Sequence, residues 1–317
     1  MFVDREQGHT GIEDGVQESP RVIMDRRAET TTAPFTRLQR SVGAARVCFK
    51  RRGARTVLAD AYQSGCCKLR FPAPHSGVAP EAVLLNTAGG LTDGDRIATE
   101  ARWRAGTRAS VTTQAAERIY RSRGAPARIA NDIAVEDGAA ALWLPQETIL
   151  FDGARLSRRL TADIAAGGRL LACESTVFGR AAMGETVTHG LLNDAWRVRY
   201  AGRLVFADGF RLEGDMRDLL ARPAVAGGAA AVATVIYVGD DTEAIGDPLR
   251  EMLSACDSLA GCSVIGPVLV ARLLGANGAA LRRDLVAVLQ GLLRLLNGHK
   301  DNEDMTAAAD LPRVWFC

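Results

Sequence analysis

Apolar and polar residues alternate with the two-residue period of a β-strand through most of the first 240 positions. Ala45-Arg46-Val47-Cys48-Phe49-Lys50 and Thr56-Val57-Leu58-Ala59 read as strands, Tyr62-Gln63-Ser64-Gly65 as a turn, and Leu69-Arg70-Phe71-Pro72 as a shorter strand. A longer pattern is laid over this one. Arg96–Gly106, Arg128–Gly138 and Arg158–Gly168 each read as a strand closed by a glycine turn, and a glutamine, Gln114 or Gln146, stands eight residues past the first two glycines. Gly168-Arg-Leu-Leu-Ala-Cys-Glu174 is echoed by Gly202-Arg-Leu-Val-Phe-Ala-Asp208, so the glycines are spaced by 32, 30 and 34 residues. Paired strands repeated at this interval predict a mainly β fold with a stacked, elongated body, solenoid-like or sandwich-like, in which each unit buries its apolar face on its neighbours.

Ala233-Thr-Val-Ile-Tyr-Val238 reads as the last strand, after which the period becomes helical. Asp247 and Pro248 predict an N-cap and first turn, with Leu249, Met252, Leu253 and Cys256 on one face. A second helix is predicted from about Ala280, where Leu281, Leu285, Val288, Leu289, Leu292 and Leu296 form an apolar stripe expected to pack on the protein's own β body; Asn297-Gly298 makes its stop. Residues 1–35 show no apolar period and are expected to be a disordered extension. Residues 36–317 are expected to form one domain: a β body over 36–240, a helical part with two helices over 241–300, and a tail over 301–317 whose end, Leu311–Cys317, is apolar enough to dock back.

Composition narrows the class. With 47% hydrophobic residues and a mean hydropathy of zero, the chain is globular, and no apolar run reaches the ~18 residues of a membrane span. The N-terminus lacks the basic-then-apolar order of a secretory signal, so a cytoplasmic location without membrane partners is expected. Basic and acidic residues number 39 and 37, too even for a nucleic-acid surface. Seven cysteines, an odd number with no two-residue ligand spacing, read as reduced and mostly buried; the vicinal Cys66-Cys67 pair is the one in which metal or redox chemistry is worth testing. No phosphate loop, dinucleotide fingerprint, His-Glu-x-x-His or Gly-x-Ser-x-Gly motif occurs, and the four histidines are scattered. What stands out instead is a set of carboxylates in small or apolar surroundings: Glu117, Glu147, Asp152, Glu174, Glu185 and Asp208. Several recur just past the strand that follows a glycine turn, so they are expected to align along one channel or face. There Glu117, Glu147 and Glu174 would offer weak oxygen ligands to a passing divalent cation.

The densest stretch runs from Val83 to Ser122. It holds an adjacent-glycine turn, Asn86-Thr-Ala-Gly89-Gly90-Leu-Thr92 with Asp95, and a polar cluster, Gln114, Glu117, Tyr120 and Arg121. These two motifs join with Arg40-Ser41-Val-Gly43, Tyr62-Gln63-x-Gly65, Trp143-Leu-Pro-Gln146-Glu147, Ile149-Leu-Phe151, Phe178-Gly-Arg180-Ala-Ala-Met-Gly-Glu185 and Pro312-Arg-Val-Trp315. In this order the set resembles the urease accessory protein UreD (UreH) family over about residues 36–317. The resemblance implies a predominantly β, non-catalytic factor with two helices near its C-terminus. Such a factor acts in the cytoplasm with a helical adaptor and a nickel-binding GTPase to insert nickel into apo-urease, nickel being carried transiently and no cofactor held tightly. Asn86, Gly89, Gly90, Asp95, Gln114, Glu117, Tyr120, Arg121, Gln146, Glu147, Asp152, Glu174, Arg180 and Glu185 are the candidates for partner docking or for an internal path. One departure is visible: Leu91-Thr92-Asp93-Gly94-Asp95 stands where the family commonly has Leu-Thr-Gly-Gly-Asp. Two other classes stay open. A carbohydrate-active β enzyme would use Glu147 and Asp152 as acid and base, though aromatics are scarce at 5%, and a nucleic-acid binder would use Arg118, Arg121 and Arg123.

Overall fold

The computed structural model describes residues 39–73, 79–298 and 311–316; the expected extension over 1–35 lies outside them. The described chain is mainly β, with a solenoid-like body. Its strands are β1 (Val42–Arg52), β2 (Arg55–Gly65), β3 (Cys67–Arg70), β4 (Glu81–Asn86), β5 (Arg96–Trp103), β6 (Arg108–Thr113), β7 (Glu117–Ile119), β8 (Ala127–Val135), β9 (Ala140–Leu144), β10 (Thr148–Leu150), β11 (Arg155–Ile164), β12 (Arg169–Phe178), β13 (His189–Tyr200), β14 (Arg203–Asp215), β15 (Ala231–Val238), β16 (Leu259–Ile265) and β17 (Val268–Gly275). They form two sheets. The first runs β14-β13-β11-β8-β5-β1-β2 and the second β16-β17-β15-β12-β9-β6-β4-β3, with β10 joining β12 to β7.

From β4 to β13 the chain lays strands on the two sheets by turns, and each new strand pairs in parallel with its predecessor on the same sheet. This is the repeat seen in the sequence. Strand-period alternation is what a coil of this kind requires, since one face of each strand in the first sheet meets the core and the other meets solvent, as the alternating burial of β5 and β11 records. Antiparallel hairpins, β1–β2 and β13–β14 in the first sheet, close the stack.

The turn glycines also stack. Gly106, Gly138 and Gly167 have φ of 64°, 65° and 74° in equivalent turns, a conformation that costs glycine nothing. The third equivalent is thus Gly167 and not Gly168, and the sequence match is one residue out of register there. Arg96 pairs with Arg128, but Arg128 pairs with Ser157. A slip of one residue turns a side chain to the opposite face. Arg96 and Arg128 point outward and are exposed, whereas Arg158 takes the inward place held by Ile97 and Ile129 and is buried.

The two helices expected over 241–300 are present, and the structure adds a short helix before them and a hairpin between them. Helix α1 (Met216–Ala221) comes before β15, α2 (Thr242–Ser254) and α3 (Gly278–Gly298) after it, and the β16–β17 hairpin lies between α2 and α3. The short, evenly spaced apolar residues of that hairpin carry strand parity, which the leucine-rich sequence on either side obscures. Helix α2 also starts earlier than expected: Pro248 lies inside it, and Asp241 flanks its start while accepting a 2.5 Å hydrogen bond from the Tyr237 hydroxyl. The α3 stripe, Leu281 to Leu296, is buried against Leu142, Leu144, Leu171 and Val235 of the second sheet, which explains why β12 and β15 are buried on both faces. A second core lies between the sheets around Trp103, Trp143, Leu160 and Trp196.

Candidate functional site

Between the sheets, at the end where the longer loops gather, the apolar core gives way to a cavity of about 230 Å³. Its walls include Asn86, Gly89 and Gly90 from the β4–β5 turn, Thr113 to Arg118 around the start of β7, and Pro145, Gln146 and Thr148 around β10. Thr99, Asn131, Trp143, Arg158 and Glu174 form its inner part. Parallel pairing sets the positions: Glu117 pairs with Thr148 of β10, and Thr148 with Thr176 of β12, two residues along from Glu174 and so on the same face of that strand.

Two carboxylates therefore face one cavity. Glu117 accepts hydrogen bonds of 3.0 and 3.2 Å from the Asn86 amide, and burial pushes its carboxyl up to about 7. Glu174 accepts from Asn131 Nδ2 and Trp143 Nε1, both at 3.3 Å, and forms an ion pair with Arg158. Arg158 in turn donates to both oxygens of Asp194, at 3.1 and 2.5 Å, and to Thr148 Oγ1 at 3.1 Å. One guanidinium serves two buried carboxylates. Burial and the like charge of Asp194 push the Glu174 carboxyl upward against the pull of Arg158. Gln146, in the link between β9 and β10 of the second sheet, completes the wall, donating through Nε2 to the carbonyls of Thr113, Gln114 and Val314.

The remaining candidates separate into two groups. Tyr120, Arg121, Asp152, Arg180 and Glu185 join the loops beside the cavity. Tyr120 donates to the Gly89 carbonyl at 3.0 Å and meets Phe151 edge-on at 4.9 Å; Arg180 lies 4.1 Å over the Phe151 ring and pairs with Glu185 at 2.7 Å. Gly90 is required here, because a Cβ would meet Tyr120 Cε2 at 2.4 Å. Asp152 accepts from Thr188 N and Oγ1, both at 2.7 Å, and from Arg121 Nη2 at 2.6 Å; burial opposes its ionisation, but these donors outweigh it and hold the carboxyl below its usual range. Asp95 is buried and accepts from the Ser41 and Thr92 amides at 2.8 and 2.9 Å, fixing the turn. Asp93, the departure from the family pattern, accepts from Ser122 Oγ and from the amides of Arg123 and Gly124, tying two loops together, and the Ser122 hydrogen bond leads in lowering its pKa.

Glu147 belongs to the second group. Its side chain turns from the cavity toward α3, where it pairs with Arg282 at 2.7 Å. Glu117 and Glu174 thus line the cavity together and Glu147 does not: it sits in the irregular link between β9 and β10, where Arg282 holds its carboxylate while also reaching Gln146 Oε1. Neither Glu147 nor Asp152 lines the cavity, and each is engaged by its own arginine, an arrangement that gives no acid and base facing one bond. Arg118 lines the cavity and Arg121 is paired, so they do not make a common basic surface. Arg158, Asn131 and Asp194 were not singled out as site residues from the sequence, and Trp143 only as part of the Trp143–Glu147 motif. The available signal was an arginine at inward strand parity.

The residues that build this end of the molecule, from the Asn86–Asp95 turn to Trp315, fall within the segment matched by a family model. That model, described as UreD urease accessory protein, covers residues 41–315. The chain belongs to the UreD family. A urease accessory protein UreD of Methylobacterium sp. (strain 4-46) is 47% identical over 268 residues, 83% of this chain and 90% of that one. One from Rhizobium leguminosarum bv. viciae is 42% identical over 286 residues, 90% and 99% of the two chains. These UreD relatives are named as accessory proteins, which accords with a supporting role in place of catalysis. No helix among the described residues is long and apolar enough to cross a membrane.

Proposed function

We propose that this UreD-family chain is a non-catalytic maturation factor of the cytoplasm. It holds apo-urease together with a helical adaptor and a nickel-binding GTPase, and passes nickel through the cavity between its sheets. The observation that carries this reading is that two carboxylates, Glu117 and Glu174, line one cavity inside a largely apolar body. Nickel is the cargo. A conduit must hold an ion well enough to admit it and loosely enough to release it, and two separated carboxylates with amide and hydroxyl neighbours meet that condition. The loops around Tyr120, Phe151 and Arg180 surround this end and supply the docking surface.

The test is urease activation in cells measured beside pull-down of the intact complex. Glu117→Gln should lower activation modestly, while Ala116→Trp, which places a bulky group in the cavity wall, should lower it strongly, both with the complex retained. Gly179 is not a usable plug position: it has φ of 85°, and a Cβ there would meet the Glu185 carbonyl at 2.5 Å. Full activation by the Ala116→Trp protein would refute the path and leave a purely structural bridge.

A further inference from the structure

Cys66 and Cys67 are neighbours in sequence, and along an extended strand their side chains would point to opposite faces. Here they do not. Gly65, with φ of 56°, ends β2, Cys66 lies in the turn, and Cys67 begins β3. Both sulfurs are brought against Gly43 of β1: a Cβ on that glycine would stand 2.5 Å from Cys67 Sγ and 2.7 Å from Cys66 Sγ. The missing side chain makes the room in which the two sulfurs meet. Cys67 also lines the cavity, and Cys66 is only half-buried, so the pair is reached from outside.

We propose that Cys66 and Cys67 form a two-sulfur site for monovalent copper at the wall of the cavity. The choice of ligand follows from geometry and coordination. A disulfide is disfavoured because neighbouring Cα atoms are held about 3.8 Å apart by the peptide, below the roughly 4.4–6.8 Å that a disulfide spans. A bridging ion, with two metal–sulfur bonds of roughly 2.3 Å, leaves the sulfurs apart and relieves that constraint. Zinc and nickel need more protein ligands, and among the described residues no group of three or more His, Cys, Asp and Glu side chains is placed to hold a metal. Monovalent copper accepts two thiolates in a line and is the ion that soft sulfur selects. On binding, two copper–sulfur bonds form, the two thiol protons leave to solvent, and no oxidation state changes. The resulting site carries one negative charge, and Lys68, whose ammonium donates to the Gly65 carbonyl at 2.9 Å, is the adjacent cation. This site goes beyond nickel passage and stands whether or not nickel uses the cavity.

The experiment is an anaerobic titration of the full chain with Cu(I) against a bathocuproine competitor, with wild type, Cys66→Ser and Cys67→Ser compared. Circular dichroism identifies variants that keep the fold, which the half-exposed Cys66 position favours. One tightly held equivalent is expected in wild type, weakened at least ~100-fold in either variant. Copper X-ray absorption on the wild type, which needs no variant, should find two sulfur neighbours. Affinity within about threefold of wild type in folded Cys66→Ser, or a copper shell of oxygen and nitrogen or of more than two sulfurs, would overturn the site.

Discussion

Glu117 gives the sharpest residue-level test because its environment, and not its chemistry, sets its behaviour. Its folded carboxyl titrates near 7 against an ordinary value of 4.5, owing chiefly to burial. Between those values the folded chain holds a proton that the unfolded chain has lost, so stability falls as pH rises from about 4.5 to 7 and is level above. Glu117→Gln keeps an acceptor for Asn86 and removes the titration. Urea unfolding at pH 5 and pH 8 should show the variant gaining on wild type at the higher pH, by up to ~3 kcal/mol. Arg158 tests the opposite case. Arg158→Met leaves Glu174 and Asp194 buried without their cation and should cost about 3–5 kcal/mol, part of which Arg158→Met with Glu174→Gln should recover in the same assay. These residues also mark the limit of what the sequence disclosed. Glu117, Glu174 and Gln146 were legible as polar residues recurring in a strand pattern. Arg158 was hidden beside Arg159: matching the repeat by residue identity aligned Arg158 with outward Arg128, whereas the shorter third coil puts Ser157 there.

At the scale of elements, the coil was readable because each strand repeats one parity and each turn needs a glycine. The β16–β17 hairpin was not, since seven- and eight-residue strands flanked by helical leucine patterns offer no long-range signal. Helix α2 was placed late because proline usually opens a helix, but here Ile245, Leu249 and Leu253 are buried on one face, and that packing holds a proline within the helix. Since Pro248 can donate no backbone hydrogen bond, Pro248→Ala should restore one and raise stability by roughly 1–3 kcal/mol, read as a higher midpoint in thermal unfolding. The C-terminal turn, Arg313–Phe316, is the opposite kind of element: four residues held by partners far away in sequence. Trp315 is buried, donates to the Leu144 carbonyl at 3.1 Å, and lies 5.2 Å beneath the Arg282 guanidinium. Trp315→Ala should cost about 3–5 kcal/mol in equilibrium unfolding.

For the described body from Gln39 onward, stability is carried mainly by contacts between successive coils, with the closing hairpins holding the ends. Hydrogen exchange should therefore be slowest in the parallel ladders, β5, β8 and β11 in the first sheet and β6, β9 and β12 in the second, and faster in the outermost strands β2 and β14 of the first; uniform protection would contradict this picture. The C-terminal turn also bears on the order in which the protein is made. Each coil can settle on the one before it as the chain leaves the ribosome, yet Gln146 in the cavity wall gains its Val314 partner at 2.9 Å only when the chain has been made that far, 168 residues later. Arg282, which donates to Gln146 Oε1 at 3.0 Å, also waits for the Trp315 carbonyl at 2.9 Å. A nascent chain that has not yet reached Val314 and Trp315 would thus have every coil in place and an unfinished cavity, so that the wall closes only once these two residues have emerged.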